Sequence, residues 1–481
     1  MTRRIAVIGG GIAGLAACWE LERSAPDVEI VLLEATGRLG GWIRTESWGD
    51  VVIEHGPDSW VAAKPSATDL ACALGLGTEL VGLRLERAGT GIVCDGRILP
   101  LPEGLSLLVP TRLAPILASP LLTPLGKLRF LAEIFVPPRC DDEDESVASF
   151  VRRRFGREFY ERLAEPLLAG IYGGDAERLS LLATSPQYRE LERDAGSLLR
   201  AVLRGRARRP AMPGPLRTPF VTLRKGMERL VEALAASLRR TEVRLGTVAV
   251  AIVHRGGVYR ILTSDGTALE VDGAVVATPA AAAADLLEPL FPDEVVWFRS
   301  LPYASSAAVT LVYRREDLER VARGRGFLVP ARERRPISAV TWVTNKFPER
   351  APEDLAVARV FFRSGRHGYR DEAVPEALVA AALQELRVLT GCAAAPLHAV
   401  VSRHDRALPQ YPVGHRRQVE RLRSALARWP GLAVAGAAFD GVGVPDCIVS
   451  GWRAARAVLD GLGTRRASHA DPAAQPLQEG R

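Results

Sequence analysis

Glycines near the start of the chain have the spacing of a turn that binds nucleotide phosphates. Gly9, Gly11 and Gly14 follow the apolar run 5–8 and precede a segment with helical composition. In such a turn the first glycine permits the sharp bend, the second lets the backbone approach a pyrophosphate, and the third lets helix and strand pack closely. The free N–H groups at the start of the helix then hold the phosphates. The spacing therefore predicts a dinucleotide site.

The residues after the next apolar run, 28–33, indicate which dinucleotide binds. That run ends in Glu34, whose carboxylate can accept hydrogen bonds from ribose hydroxyls. A carboxylate there disfavours NADP, because the extra phosphate would place a second unpaired negative charge beside it. Gly40 and Gly41 follow shortly afterwards and would let a second stretch of backbone lie against the cofactor.

No other set of side chains has the spacing of a catalytic or metal site. The 7 histidines show no metal-ligand spacing: His398 and His404 are six apart, whereas a facing helical pair is three or four apart. The 6 cysteines include no CxxC pair, so neither a zinc site nor a disulfide framework is predicted. No serine, histidine or cysteine arrangement suggests a nucleophile. The chemistry is therefore expected to come from the cofactor.

Composition predicts a globular, multidomain protein of the cytoplasm. The 481 residues are 47% hydrophobic and 25% charged, with a net charge of +7. The excess charge favours anionic partners, but the arginines are scattered and form no nucleic-acid motif. The first apolar strand follows directly on residues 1–4, so we expect no cleavable signal peptide. Prolines break the longest apolar runs, so we expect no transmembrane helix.

The elements that must position the glycine turn come from several parts of the chain. A βαβ unit opens the sequence, a helix is predicted over 65–76, and short strands are predicted over 83–99. The segment from residue 100 to about residue 209 shows no strand-like alternation of apolar and polar residues, so we predict a helical insert there. Its charge runs, such as 141–145, are typical of solvated loops between helices.

The second half predicts a meander and then a mixed domain. Turn signals at 254–257 and 265–266 separate alternating strands of a meander whose last strand, ending at 277, returns to the first sheet. Beyond 295 we predict an antiparallel sheet with helices on one face. Its predicted strands are 307–313, 327–330, 338–343 and 356–362, and its predicted helices are 374–389 and 415–428.

The string "AFDGVGVPDCIVSGW", residues 438–452, looks at first like a separate site. A strand over 432–435 would rejoin the first sheet, and Pro445 suits the first turn of a following helix. Ile448, Trp452, Ala455 and Leu459 fall on one face of that helix. Cys447 is then expected to be a small buried residue rather than a nucleophile or a covalent tether for a cofactor.

Several of these strings resemble known families. "ATGRLGGWIRT", from residue 35, resembles the double-glycine motif of the flavin-dependent amine oxidase superfamily, whose members bind FAD. "IEHGPDSWVAAKPSATDLACALGL", "LAEPLLAGIYGGDAERLSLLATSPQYRELER", "GFLVP", "LPQYPVGH" and "GVGVPDCIVSG" resemble the protoporphyrinogen and coproporphyrinogen III oxidases of haem biosynthesis. The resemblance runs from residue 5 to about residue 460.

The resemblance implies both an activity and a set of site residues. The activity is oxygen-dependent six-electron oxidation of coproporphyrinogen III, protoporphyrinogen IX or both to the porphyrin, in three hydride steps to the flavin N5 with release of hydrogen peroxide. The side chains would bind and orient rather than react. Residues expected to contact FAD are Gly9, Gly10, Gly11, Ile12, Ala13, Gly14, Glu34, Arg38, Gly40, Gly41, Trp42, Gly56, Pro57, Asp58, Ser59, Val248 (through its backbone, at the adenine), Val442, Gly443 and Val444.

The substrate residues implied by the resemblance are fewer. Lys64 is expected to meet substrate carboxylates, although many relatives have an Arg-Lys pair where this chain has Ala63-Lys64. A backbone carbonyl of the turn 170–174, which includes Gly170, Ile171 and Tyr172, would face the macrocycle, unless the turn is a plain helix stop. Phe327 and Trp342 are candidate cavity walls or simply core residues.

The resulting fold class is α/β and α+β: a discontinuous Rossmann-like FAD-binding domain, an antiparallel-sheet substrate domain and an inserted helical domain. In the resembled family the helical domain meets the membrane surface; that contact and a homodimer are left open. The predicted domains are FAD-binding 1–95, 216–292 and 430–463, helical insert 96–215, substrate-binding 293–429 and a disordered tail 464–481. Two alternatives remain: an amine oxidase or carotenoid desaturase, and a flavin-binding haem-assembly partner without catalysis.

Overall fold

The computed structural model describes residues 2–86, 89–106, 108–205, 218–363 and 374–463. They form two compact units. The first unit takes its described residues from Met1–Gly41, Val231–Ser300 and Val419–Arg481, and the second from Trp42–Leu230 and Leu301–Gln418. The predicted tail 464–481 lies outside the described residues.

A five-stranded parallel sheet forms the centre of the first unit. Four of its strands are rich in apolar residues, which is typical of a parallel sheet buried on both faces, whereas the edge strand Thr241–Arg244 is polar. In spatial order they are Thr241–Arg244, Val28–Leu33, Arg3–Ile8, Gly273–Val276 and Leu432–Val434. After Val28–Leu33 the chain returns to this sheet three times, first at Thr241–Arg244 and then at the strands Gly273–Val276 and Leu432–Val434, which confirm the predicted returns near 274–277 and 432–435.

Helices and a meander complete the first unit. The predicted meander is present, with antiparallel strands Ala249–Arg255, Val258–Thr263 and Ala268–Val271. The helices of this unit are Ile12–Ser24, Ala280–Leu287, Val296–Arg299, Ala437–Asp440 and Val444–Gly461. Glu228–Ser237 and His415–Leu426 run across the boundaries at residues 230 and 418.

Small residues let two of these helices pack closely. A Cβ atom added at Gly451 would lie 2.1 Å from the Ala13 carbonyl oxygen, so only glycine permits the observed approach of the C-terminal helix to the first helix. Ile448, Ala455 and Leu459 are completely buried, as predicted for the core-facing side of that helix, and Trp452 is partly exposed.

A seven-stranded sheet forms the centre of the second unit. In spatial order its strands are His398–Pro409, Tyr303–Arg314, Leu355–Phe362, Ile337–Trp342, Gly326–Leu328, Gly91–Cys94 and Arg97–Pro100. The four strands predicted in this half of the chain are present, and so are the helices predicted at 374–389 and 415–428. The long strand His398–Pro409 was not predicted, because its charged residues hide the alternation.

The hairpin 91–100 changes the predicted description of this sheet. Its first strand pairs in parallel with Gly326–Leu328, so the sheet is not entirely antiparallel. The predicted boundary between residues 95 and 96 falls in the turn of this hairpin. The local sequence indicated the two strands of the hairpin. It could not indicate their partner strand, Gly326–Leu328, because that strand lies more than 200 residues away.

Short strands and many helices make up the rest of the second unit. The short strands are Thr45–Trp48, Val51–Glu54, Trp60–Val61, Leu80–Gly82, Leu105–Ser106, Val109–Pro110 and Phe220–Leu223. The α-helices are Ser66–Ala73, Ala114–Ala118, Pro124–Leu131, Val147–Phe155, Arg157–Phe159, Glu165–Tyr172, Leu181–Thr184, Pro186–Ala195, Leu198–Leu203, Arg315–Glu319, Val343–Lys346 and Pro375–Thr390. Single turns of other helix types lie at Gly77–Glu79, Ala132–Phe135, Tyr160–Ala164, Ala331–Glu333 and Pro348–Arg350.

One expectation about the helical segment was wrong, and a second holds except at one residue. Leu105–Ser106 and Val109–Pro110 form a small hairpin in a region where no strand was expected. The acidic run 141–145 lies in a loop with residues 141–143 exposed, as predicted, but its last residue, Glu145, is buried and pairs with Arg153 and Arg189. Charge patterning along the sequence does not show which residue of such a run is buried, because the opposite charges lie on other elements.

No helix in the described parts of the chain is both long and apolar enough to cross a bilayer.

Candidate functional site

The glycine turn of the first unit has the three features that its spacing predicted. Gly9 adopts φ +106°, a conformation that side chains other than glycine rarely tolerate. A Cβ added at Gly14 would lie 1.9 Å from the Gly9 carbonyl oxygen, so helix and strand pack on bare backbone there. Gly11 is different, because nothing in the described chain lies within 4 Å of a Cβ added to it. The open side of the turn is therefore at Gly11, immediately before the helix that begins at Ile12.

The double glycine lies directly against this turn. Gly40 donates its backbone N–H to the Gly10 carbonyl at 2.8 Å, and a Cβ added at Gly41 would lie 3.3 Å from the Gly11 Cα. Gly40 and Gly41 both have positive φ, +100° and +57°. Two stretches of bare backbone thus meet at one place, which leaves polar backbone groups accessible to a phosphate-containing ligand.

Glu34 lies beside the same turn. One carboxylate oxygen accepts the Gly10 N–H at 2.6 Å, and the other accepts the backbone N–H and hydroxyl of Thr36 at 2.8 and 2.7 Å. The carboxylate is thereby fixed in place and partly exposed. This is the position expected of a ribose-binding acid in a dinucleotide site.

Arg38 does something that the sequence did not indicate. Its guanidinium donates to the carbonyls of Leu39 and Gly41 at 2.7 and 2.6 Å, so it fixes the curvature of the double-glycine loop. Val248 lies just before the first meander strand, with its carbonyl accepting the Ser264 N–H. Contact of Arg38 or of the Val248 backbone with a cofactor stays a prediction.

The C-terminal string belongs to the first unit. Gly441 has φ +135°, and Gly443 is the N-cap residue that precedes the helix Val444–Gly461. Asp440 holds this loop: it accepts from Arg423 at 2.7 Å, from Arg453 at 2.6 Å and from the Ser450 hydroxyl at 2.5 Å. Cys447 is buried within the helix, as predicted.

In the second unit, the predicted segment Gly56, Pro57, Asp58 and Ser59 is fixed by the cations of Lys346 and Arg359. Lys346 Nζ lies 3.0 and 3.1 Å from the two Asp58 carboxylate oxygens and 3.2 Å from the Ser59 hydroxyl. Burial by itself would raise the pKa of Asp58, but the ammonium of Lys346 and the guanidinium of Arg359 hold that pKa well below its usual range. Asp58 is therefore ionised throughout the physiological pH range.

Arg359 and His404 hold the preceding carbonyl groups. Arg359 donates to the carbonyls of His55 and Gly56 at 2.6 and 3.0 Å, and His404 lies 2.7 Å from the same His55 carbonyl. The ring of His404 also meets Trp42 edge-on with centroids 5.4 Å apart, and burial lowers the pKa of this histidine. Trp42 itself is half exposed. Neither cation nor histidine was singled out from the sequence, although an arginine inside the apolar strand Leu355–Phe362 was a usable signal.

The predicted substrate residues are divided between surface and core. Lys64 is exposed at the segment that follows Ser59. Phe327 and Trp342 lie in the hydrophobic core of the large sheet, each with 2% of its surface exposed, and their rings meet edge-on. Their role as cavity walls stays a prediction, and their burial in the core does not support it.

The turn at 170–174 is held against the edge strand of the large sheet. Gly170 and Ile171 are exposed near the end of the helix Glu165–Tyr172, which follows directly on the π-helical turn Tyr160–Ala164. Such turns occur frequently at functional sites. The Tyr172 carbonyl accepts from the Gln410 amide at 2.8 Å, and Tyr172 is buried. The helix ends at Gly173, with φ +61°, as the alternative of a helix stop predicted.

The comparison with protein families identifies the cofactor class that this glycine turn serves. A family model described as flavin containing amine oxidoreductase matches residues 12–459. The chain belongs to this family. It is accordingly a flavin-dependent oxidoreductase, and the predicted fold class and cofactor class are confirmed.

Individual members of the flavin amine oxidoreductase family resemble the chain over nearly its whole length. A coproporphyrinogen III oxidase of Bacillus subtilis strain 168 is 34% identical over 464 residues, 93% of this chain and 96% of that protein. A protoporphyrinogen oxidase of Macaca fascicularis is 30% identical, over 95% of this chain and 99% of that protein. A crystal structure from Exiguobacterium sp. 255-15 superposes with a TM-score of 0.84 at 35% identity, covering 96% and 99% of the two chains.

Proposed function

We propose that this flavoprotein binds FAD and oxidises coproporphyrinogen III to coproporphyrin III with molecular oxygen. The observation that carries this proposal is the similarity to a coproporphyrinogen III oxidase over 93% of the chain, which includes both units. Oxidation removes six electrons in three two-electron steps, and each step reduces one oxygen molecule to hydrogen peroxide. The reaction belongs to haem biosynthesis.

The first unit supports FAD as the form of the flavin. A dinucleotide needs a place for a pyrophosphate, and the open backbone at Gly11 provides it next to the N-terminus of the helix Ile12–Ser24. It also needs an acceptor for the adenosine ribose, and Glu34 is fixed beside that place. The residues present therefore fit FAD, and we assign it to the predicted set in this unit, Gly9–Gly14, Glu34, Arg38, Gly40, Gly41, Val248 and Val442–Val444.

The chain's own residues bind and orient in this scheme. When bound, the flavin supplies the chemistry: it accepts a hydride at N5 and passes the electrons to oxygen. Lys346, Arg350 and Arg359 fix the segment that carries the predicted contacts Gly56–Ser59, with Trp42 beside it. Lys64 is the proposed contact for a substrate carboxylate. The predicted domain boundaries remain part of the proposal.

Protoporphyrinogen IX is the second candidate substrate, because a protoporphyrinogen oxidase is also among the relatives. Coproporphyrinogen III carries four propionates and protoporphyrinogen IX two. A cation-rich pocket therefore favours the first, since each carboxylate can be matched by a positive group.

The test uses the purified protein with both porphyrinogens. We expect a yellow protein that releases FAD on denaturation, converts coproporphyrinogen III to the fluorescent porphyrin and consumes three molecules of oxygen per porphyrin formed. A larger rate constant for protoporphyrinogen IX than for coproporphyrinogen III would make protoporphyrinogen IX the preferred substrate. A yellow protein inert toward both would refute the proposal, and turnover of amines or carotenoids would then identify the alternative enzyme class.

Location and assembly belong to the same proposal. We place the enzyme in the cytoplasm, with a peripheral membrane contact through the helical segment, where Leu125, Leu128 and Phe135 are 76%, 64% and 84% exposed. Flotation with vesicles containing anionic lipid tests the contact, and sedimentation of the free protein tests for a homodimer. A protein that does not float with the vesicles would refute the membrane contact. A protein that sediments as a monomer would refute the homodimer.

A further inference from the structure

An arginine of the second unit has a conformation and surroundings that the proposed reaction leaves unexplained. Arg406 lies in the strand His398–Pro409 with φ +48°, in the left-handed region that residues other than glycine, asparagine and aspartate seldom occupy. Its backbone N–H donates to the hydroxyl of Ser305 at 3.0 Å. The residues around it form a bulge, because the pairing with the neighbouring strand shifts between Ala304 and Ser306. Bulges and such strained residues concentrate near binding and active sites.

The bulge lies between two contacts made by the same strand. On its N-terminal side, Ser402 lies 3.0 Å from the His55 ring and His404 lies 2.7 Å from the His55 carbonyl. These residues hold the segment that leads into Gly56–Ser59 and Lys64.

On the C-terminal side of the bulge, the strand holds the turn at 170–174. A Cβ added at Gly173 would lie 3.3 Å from the Leu408 side chain, and Gln410 donates to the Tyr172 carbonyl. Along the strand, Arg406 therefore lies between the contacts to the segment 55–59, which includes predicted flavin residues, and the contacts to the turn 170–174, which the sequence assigned to the substrate.

The charge of Arg406 is not paired within the part of the chain that the structure describes. The side chain is exposed, and among the described residues no ion pair or hydrogen bond is made by its guanidinium. Other arginines of this unit do pair, as Arg363 pairs with Glu165 and Arg335 with Glu385. A strained backbone that presents an unpaired guanidinium matches a ligand carboxylate, which accepts two parallel N–H bonds from arginine.

We propose that Arg406 binds a propionate carboxylate of the tetrapyrrole substrate and favours the substrate with more carboxylates. The inference rests on the proposed function, because it assumes a porphyrinogen substrate. It supplies a cation in addition to Lys64, the contact already proposed for a substrate carboxylate. Arg406 acts on binding alone, so it is a specificity-determining residue.

A matched pair of variants tests this proposal. Arg406→Asn removes the charge and keeps a residue that tolerates positive φ. Arg334→Asn is the control: Arg334 is also exposed, has φ +55° and makes no ion pair among the described residues, but it lies in the turn after Ala331–Glu333. Arg406→Lys keeps the charge and loses the paired geometry.

Binding can be measured without turnover. The two ligands are the product, coproporphyrin III, and its uncharged tetramethyl ester, and the measured quantity is the equilibrium affinity of each variant for them. We expect Arg406→Asn to weaken binding of the tetracarboxylate about 10-fold, the effect of one lost charge-assisted hydrogen bond. Ester binding should stay unchanged, Arg406→Lys should lie between, and Arg334→Asn should match wild type. The KM for coproporphyrinogen III should rise in parallel, with kcat less affected.

Two results would overturn the proposal. One is equal affinity of the Arg406→Asn and Arg334→Asn variants for coproporphyrin III. The other is an equal loss for the acid and its ester, which would show a change of shape rather than of charge. Failure of the proposed function is distinguishable, because it would appear in the wild-type protein as absence of porphyrinogen oxidation.

Discussion

Replacing Gly11 with valine should separate flavin binding from folding. The residue has φ −70° and ψ 177°, which any residue can adopt, and no described atom lies within 4 Å of an added Cβ. The cost to the protein without flavin should therefore be about 1 kcal/mol, the usual difference between glycine and an aliphatic residue at a helix N-cap. The added methyl groups would, however, occupy the proposed place of the pyrophosphate, so flavin binding should be lost.

Gly14→Ala is the matched control with the opposite structural prediction. Its Cβ would lie 1.9 Å from the Gly9 carbonyl oxygen, too close for any contact, so helix and strand must move apart. Overpacking of this kind costs about 1–3 kcal/mol or more. Here the protein should lose stability even without flavin.

The assay combines urea unfolding of both apoproteins with fluorescence titration by FAD. We expect Gly11→Val to unfold close to wild type and to bind no flavin, and Gly14→Ala to unfold at lower urea concentration. A Gly11→Val protein that retained wild-type flavin affinity would refute the placement of the pyrophosphate. An unstable Gly11→Val apoprotein would refute the claim that the turn is open there.

Three further predictions concern single contacts. Glu34→Ala should weaken FAD binding by about 1–3 kcal/mol through loss of a charged hydrogen-bond acceptor, and equilibrium titration showing unchanged affinity would remove the ribose role. Lys64→Ala should raise the KM for coproporphyrinogen III more than it lowers kcat, since a carboxylate contact made equally in ground and transition state affects binding alone; steady-state kinetics identical to wild type would place Lys64 outside the site. Lys346→Met should destabilise the fold by about 3 kcal/mol at neutral pH, because it leaves Asp58, whose side chain is 19% exposed, without its partner. Because the folded-state pKa of Asp58 is lowered, the difference in the free energy of unfolding between wild type and Lys346→Met should be full above about pH 4 and shrink as the pH falls further. A difference that did not change on acidification would contradict the pairing. So would an equal effect of Lys346→Met in a protein that already carries Asp58→Asn.

The sequence by itself determined the local features of this protein. Glycine spacing followed by an acid twenty residues later predicted the turn at Gly9–Gly14 and the position of Glu34, because both depend on backbone conformation over a short stretch. Apolar periodicity likewise predicted the strand at 432–435 and the buried side of the last helix. Motif resemblance added the flavin class, which the family match confirms.

Only the tertiary structure decided which distant residues meet. Lys346 and Arg359 are about 300 residues from the segment they hold, and the hairpin 91–100 joins a sheet whose other strands begin after residue 300. The burial of Glu145, at the end of the exposed acidic run, was missed for the same reason, since its partners Arg153 and Arg189 lie on helices. Patterns along the chain report local periodicity, whereas ion pairs and sheet partners depend on long-range packing that no short window of sequence contains.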